Sequence, residues 1–517
     1  MNEQVGKVWL IGAGPGEPDL ITVRGRELLS RADVVLYDAL SHPALLESCR
    51  DDAERRNVGK RYGERSPDQS WITSQLIELA RAGKTVARLK GGDPLLFARG
   101  AEEAEALADA GIPFEIVPGI SSPVATTAYA GISMTHRDLS SSVTFITGSD
   151  REGKQWSDAA WKKLATATDT ICVLMGMRRI GEITQAIIDG GRARDTPAAV
   201  IQWGARPQQR VAEGTLENIA ERVHSAGLAN PAIIVIGEVV QLRAKLAWYD
   251  SRPLFGQRVM VPRPAAQAQS TAAAIRERGA QPVTRPLIRI EPPPDPARLE
   301  RAIAELSSYD WVLFTSANGV ARCAEALERA GRDARAFGGA KIGCIGPKTA
   351  LSLLTLGIRA DLVAKEYVGE AFAKDLLDRG LGERSRVLLL RALEAREALP
   401  DLLAEAGATV DVVAAYQTLK LSQSEQVELR AALGVDGSGA RGVDVALFTS
   451  SSTAHSFADA LGDASLPPGV VLASIGPVTS ATLRERGLRV DVEAERYTVD
   501  GLLDALEAHF TARRGAP

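Results

Sequence analysis

Aromatic residues make up only 5% of this chain of 517 residues. Its core must therefore be built from aliphatic side chains, and plentiful Ala, Gly and Val suit tightly packed α/β layers. Cysteine is scarce as well: Cys49, Cys172, Cys323 and Cys344 lie far apart and form no C-x-x-C pair. That spacing argues against a disulfide framework and a zinc or other metal site, and reads as reduced, mostly buried thiols of a cytoplasmic protein. No apolar run reaches the roughly 18 residues of a membrane span. The opening MNEQVGKVWL has no basic region followed by a long apolar stretch, so no signal peptide is expected. Lys and Arg form no long run and the net charge is −4, which excludes nucleic acid as an expected partner. An anionic small molecule would need a local cationic cleft, because the average field does not attract it.

What is present is a rhythm. A strand at 8–12 enters the turn Gly12-Ala13-Gly14-Pro15-Gly16. Further strands are predicted at 33–37, 85–89, 114–117, 143–147, 170–175, 198–202 and 232–236. Helices at 69–82 and 100–110 alternate with them, which predicts an α/β fold with parallel sheets. The length exceeds what one hydrophobic core serves, so at least two domains are expected. The rhythm breaks at 247–257 (AWYDSRPLFGQ), read as a linker between halves 1–246 and 258–517. The first half is read as two subdomains, about 1–118 and 119–246.

The second half contains an internal repeat. Residues 312–327, VLFTSANGVARCAEAL, match 446–461, ALFTSSSTAHSFADAL. Ile345-Gly346-Pro347-Lys348-Thr349 matches Ile475-Gly476-Pro477-Val478-Thr479. The offset, about 130 residues, is far longer than a solenoid repeat and implies two similar α/β lobes.

Several strand ends in the first half carry glycine beside polar residues: Arg88-Leu89-Lys90-Gly91-Gly92-Asp93-Pro94, Pro118-Gly119-Ile120-Ser121-Ser122 and Thr135-His136-Arg137-Asp138. Ligands bind outside the carboxyl ends of strands in open α/β sheets, so these corners are candidates for one composite site. Plain turn chemistry is the alternative for any one of them. Asp38, at a strand end after Tyr37, reads by itself first as a helix N-cap. In the second half Thr315-Ser316 and Thr449-Ser450 precede helices, where capping and ligand contact make the same demand.

VWLIGAGPGEPDLITVRG, ADVVLYDAL, VGKR, RLKGGDP, PGISS, MTHRD and VLMGM, in this order, resemble the tetrapyrrole methylase family, most closely its uroporphyrinogen-III C-methyltransferases. VPRP, FTSANGV, IGPKTA, LLLR, AAY, FTS and IGPVT resemble the uroporphyrinogen-III synthase family. The resemblance implies a two-subdomain α/β methylase unit followed by a two-lobed synthase unit with a pseudo-repeat. Its lobes would exchange chain, 258–289 with 418–517 against 290–417, around a cleft. It implies S-adenosylmethionine as cofactor, leaving as S-adenosylhomocysteine, held by Pro15, Gly91, Gly92, Asp93, Leu96, Ser121, Ser122, Met175 and Gly204. Asp38 would accept a proton and Lys60 donate one, while Tyr416 would assist the synthase reaction. Substrate-contact candidates are Arg61, His136, Arg137, Arg263, Thr315, Ser316, Asn318, Lys348, Thr449, Ser450 and Thr479. Arg88, Lys90 and Arg99 are further candidate cations for an octacarboxylate; each reads equally as a solvated surface cation, and Arg88, within a strand, also as the internal partner of an acid. The resemblance also implies small-molecule tetrapyrrole partners, a homodimer through the first half, and cyclisation of hydroxymethylbilane followed by two methylations to precorrin-2. A methylase for a later precorrin, with the second half a non-catalytic binding module, is the rival reading.

Overall fold

Apolar alternation along short strands organises the first sheet. The structure, a computed structural model, describes residues 5–59, 68–148, 158–263, 265–366, 368–394, 398–435 and 441–514. Strands β1 (Val8–Gly12), β2 (Val34–Tyr37), β3 (Glu54–Asn57), β4 (Val86–Lys90) and β5 (Phe114–Val117) form an all-parallel sheet in the order β3-β2-β4-β1-β5. Successive strand residues point to opposite faces. Trp9, Ile11, Val35, Ala87 and Leu89 pack on one face against Leu28, Leu29 and Leu45. Val8, Leu10, Val34, Leu36 and Val86 pack on the other against Ile72, Leu76 and Leu107. Both faces are therefore covered by helices, as a parallel sheet requires, and all the strand carboxyl ends open at one edge.

The second sheet departs from the expected parallel pattern. Strands β6 (Val143–Thr147), β7 (Thr170–Leu174), β8 (Pro197–Gln202), β9 (Arg210–Thr215) and β10 (Ala232–Ile236) take the order β6-β7-β10-β8-β9. Only β6 and β7 pair in parallel; β10 runs antiparallel between β7 and β8, and β9 antiparallel beside β8. The reason is loop length: 203–209 is too short for the crossover that a parallel pair needs. Strands β3 and β9, with sequences ERRN and RVAEGT, carry little apolar signal and were not predicted.

Eleven further strands follow among the described residues: β11 (Arg258–Val261), β12 (Gln281–Thr284), β13 (Ile288–Glu291), β14 (Trp311–Phe314), β15 (Lys341–Cys344), β16 (Leu362–Val363), β17 (Arg386–Ala392), β18 (Thr409–Lys420), β19 (Val445–Phe448), β20 (Val471–Ser474) and β21 (Val492–Glu493). They form sheets ordered β12-β11-β19-β20-β21 and β13-β18-β17-β14-β15-β16. The sequence repeat becomes a structural one: β14, a serine cap and helix Ala317–Arg329 correspond to β19, a serine cap and helix Ser451–Leu461. Local rules account for the helix ends. Ser422 and Glu425 make a reciprocal capping box at the start of helix Gln423–Leu433, and Gly434 ends it at φ 74°, as such motifs do.

The chain forms two compact units, one of Met1–Val259, Thr271–Val283 and Thr498–Pro517, the other of Met260–Ser270 and Thr284–Tyr497. The segment read as a linker is packed within the first: Tyr249 is 1% exposed, with Tyr129, Trp248 and Phe255 around its ring. All four cysteines are buried and free. Burial pushes the Cys172, Cys323 and Cys344 thiols up to about 12, which leaves them inert.

Candidate active sites

The glycines of the first unit meet as bare backbone. Ala13 donates its N–H to Lys90 O (2.7 Å), and Gly14 and Gly92 exchange N–H···O bonds of 3.3 and 2.9 Å. A Cβ on Gly12 would stand 2.5 Å from Gly119 Cα, and one on Gly119 would stand 2.4 Å from Gly92 O. The ends of β1, β4 and β5 thus approach more closely than any side chain permits. Gly92, at φ 75°, faces Ser121 and Ser122, while Gly91 faces Leu40. Asp93 accepts from Leu95 N (2.8 Å) and Gly119 N (3.1 Å), tying two of these corners together. Gly16 abuts Ala205, Arg206 and Gly204.

Gly92, Asp93, Ser121 and Ser122 therefore meet at the ends of β4 and β5, Gly204 lies against Gly16 next to Pro15, Gly91 lies against Leu40, and Leu96 is half-buried on the turn after Asp93. Met175 ends β7 in the second sheet instead, half-exposed and at φ 54°. Five of the six non-glycine residues with positive φ among the described residues are Phe97, Arg99, Met175, Trp203 and Ala205, and all but Met175 lie on or beside these corners. Such strain costs about 1–3 kcal/mol per residue and persists where a ligand site demands it. A cradle of bare amides, half-buried apolar side chains and strained corners fits S-adenosylmethionine.

Asp38 caps no described helix. The short helix after β2 begins at Pro43, and His42 Nδ1 accepts the Ala44 N–H there. Asp38 Oδ1 instead accepts from Arg88 Nη2 at 2.6 Å. Arg88 and Lys90, candidate substrate cations by sequence, are 2% and 1% exposed and paired internally. Both bond to Glu103, which no sequence signal had marked. Arg99 is exposed and paired with its neighbour Glu102. Burial, followed by the Arg88 charge, holds Lys90 below the usual lysine range, while Glu103 opposes the shift. Lys60 and Arg61 lie outside the described residues. His136 closes a tight turn, exchanging backbone bonds with Ser140, and its Nδ1 accepts from Asp138 N. Arg137 is exposed at the turn's tip.

In the second unit Ser316 and Ser450 are caps: each accepts the backbone N–H three residues on, from Gly319 and Thr453. Tyr416 donates its hydroxyl to Ser316 Oγ at 3.0 Å. The register of β17 and β18 slips by one residue between Arg391–Ala414 and Ala392–Tyr416. This bulge adds one residue to β18 just before Tyr416, which leaves the added residue unopposed in the ladder. Arg263, at the end of β11, donates Nη2 to Thr449 Oγ1 at 2.7 Å and Nε at 3.1 Å. Its guanidinium pKa is lowered by burial. Thr315 precedes the Ser316 cap, and Asn318 stands in the first turn of helix Ala317–Arg329. Lys348 is exposed in the first turn of helix Pro347–Leu354. Thr479 is only 4% exposed, matching its repeat partner Thr349 at 5%. The sequence placed Thr479 among substrate contacts; the fold turns it inward.

Two family profiles match this chain: "Tetrapyrrole (Corrin/Porphyrin) Methylases" over residues 7–220 and "Uroporphyrinogen-III synthase HemD" over residues 269–504. The two profiles thus make this a chain of two tetrapyrrole-biosynthesis domains, a methylase joined to a synthase. The chain is 36% identical over 501 residues to the porphyrin biosynthesis protein HemD of Ruminiclostridium josui, covering 97% of each, and belongs to that family. It is 49% identical over 245 residues to the sirohaem synthase of Pseudomonas fluorescens, 47% of this chain and 52% of that one. The chain thus spans about half of that relative. The solved uroporphyrin-III C-methyltransferase of Thermus thermophilus, complexed with S-adenosylhomocysteine, is 35% identical; it covers 46% of this chain and 100% of its own, at a TM-score of 0.40.

Proposed function

We propose that the chain cyclises hydroxymethylbilane to uroporphyrinogen III and methylates that product at carbons 2 and 7 to give precorrin-2. The observation that carries this is the backbone cradle at the ends of β1, β4 and β5, formed by the methylase motifs, in a chain that also carries a synthase domain. The product of the synthase reaction is the substrate of the methyl transfer.

When bound, S-adenosylmethionine supplies an electrophilic sulfonium methyl. Pro15, Gly91, Gly92, Asp93, Leu96, Ser121, Ser122, Met175 and Gly204 would hold it. Asp38 accepts the proton that the porphyrinogen gives up after methyl transfer, and Lys60 donates one. The substrate carries eight carboxyl groups that are ionised at neutral pH. Arg61, His136 and Arg137 receive some of them in the first half. In the second half, Arg263, Lys348 and the amides at the Ser316 and Ser450 helix starts do so, an arrangement that favours anions. Tyr416 orients the departing hydroxyl at the start of helix Ala317–Arg329. Release of water and inversion of the last ring then depend mainly on imposed geometry. The first half dimerises with a second copy. Among the described residues no helix is long and apolar enough to cross a membrane.

Incubating the full chain with hydroxymethylbilane and S-adenosylmethionine tests both activities. A dimethylated type III pigment is expected; an unmethylated type I pigment would overturn the reading.

A further inference from the structure

Four charged side chains meet beneath the carboxyl ends of β2 and β4. Glu103 is 0% exposed, Lys90 1% and Arg88 2%. Glu103 Oε1 accepts from Gln69 Nε2 (2.8 Å), Lys90 Nζ (3.0 Å) and Arg88 Nε (3.3 Å); its Oε2 accepts from Lys90 Nζ (3.0 Å). Arg88 gives Nη1 to the carbonyls of Leu36 and Leu89, and Nη2 to Asp38. The Asp38 side chain, 28% exposed, is the member that reaches solvent. One guanidinium is thus divided between two carboxylates, and Lys90 brings the quartet to two cations and two anions.

We propose that Lys90 and Glu103 are positioning residues that set the strength of Asp38 as a base, acting through the shared guanidinium of Arg88. The proposal rests on reading Asp38 as the proton acceptor of methyl transfer. A buried quartet is poorly screened, so a unit charge lost at one corner is felt at the others. The groups facing the pair are Arg88 and Lys90 from β4, Glu103 from helix Gly100–Asp109 and the neutral Gln69 from helix Gln69–Arg81. Arg99, just before the Glu103 helix, also acts on Glu103 through its charge. Burial and the Arg88 charge hold Lys90 below the usual lysine range, and Glu103 opposes that shift. The quartet transfers no proton of its own. Asp38 takes one from the substrate and returns it to solvent.

The test is the pH profile of methyl transfer by the full chain, with S-adenosylhomocysteine affinity measured alongside to report an intact donor site. Lys90→Met leaves two carboxylates competing for one guanidinium, so Asp38 holds a proton more readily. The acid limb of the profile is expected to move up by roughly one pH unit. Lys90→Arg, which keeps the charge, leaves the limb in place. The double variant Lys90→Met with Glu103→Gln removes both charges of the inner pair and returns the limb to its wild-type position. A Lys90→Met limb superposed on wild type overturns the proposal, and so does a double variant whose limb stays displaced. The double variant decides the matter alone when the single one does not fold. Wild-type protein that transfers no methyl group, or Asp38→Asn at full rate, instead removes the assignment of Asp38 itself.

Discussion

Tyr416 Oη lies 3.0 Å from Ser316 Oγ, and the same Ser316 oxygen accepts the Gly319 N–H. The tyrosine is thereby anchored to the start of helix Ala317–Arg329. Tyr416→Phe leaves the cap intact and costs only the net value of one hydrogen bond, about 1 kcal/mol of stability. Type III product is expected to form roughly tenfold more slowly, a loss of about 1.4 kcal/mol in transition-state stabilisation. Chromatographic isomer ratios over time check this, and an unchanged rate would remove Tyr416 from the reaction.

The closeness of Gly119 to Gly92 makes a sharper demand. Gly119→Ala drives a Cβ to 2.4 Å from a carbonyl oxygen that is part of the backbone and cannot step aside. Binding of S-adenosylhomocysteine is expected to fall at least about tenfold, more than 1.4 kcal/mol, while isomer production is unaffected. Gly181 has open space where its Cβ would stand and lies in helix Ile180–Asp189. Gly181→Ala should add about 0.5–1 kcal/mol of stability without touching either activity. Calorimetry and thermal melts separate the two outcomes.

His42 predicts acid sensitivity. Burial, aided by the charge of Arg206, lowers its pKa to about 4 from 6.5. Between those values the unfolded chain binds more protons than the folded one, so stability falls as pH drops through that window. The loss is about 3 kcal/mol by the bottom of it. Protonation would also remove the Nδ1 acceptor from the Ala44 N–H. His42→Asn keeps an acceptor without titrating, so its denaturation midpoint should fall less between pH 6.5 and 4. Equal losses in both proteins would refute the assignment.

Arg263 contacts Thr449 through two nitrogens and is half-buried just after β11. Arg263→Met is expected to raise the KM for hydroxymethylbilane about tenfold with little change in kcat, as lost uniform binding does. Methyl transfer to added uroporphyrinogen III should be unaltered. A fall in kcat at constant KM would contradict a binding role.

Much of this was legible in residue order. Strands such as VWLIG and VVLY carry apolar alternation or continuity strong enough to identify a covered sheet. The repeat at 312–327 and 446–461 announced two matching strand–cap–helix units, because capping demands serine at the same step each time. Strand β3 was illegible since a charged edge strand buries too little to leave an apolar pattern. The antiparallel insertion of β10 was illegible too, for strand order depends on connections that local pattern does not encode. Glu103 looked like one acid among several on a helix. Only its position beneath β4 shows that it neutralises two buried cations.

Sequence alone determined the α/β class, the glycine corners and the helix caps, because each is a demand made by a few consecutive residues on their own backbone. The tertiary structure decided which cations are free to meet a substrate: it buries Arg88 and Lys90 and leaves Arg137 exposed. It also decided that Asp38 answers to Arg88 and that Thr479 faces inward. Those outcomes depend on long-range packing and on the desolvation of charge, which no short stretch of sequence carries.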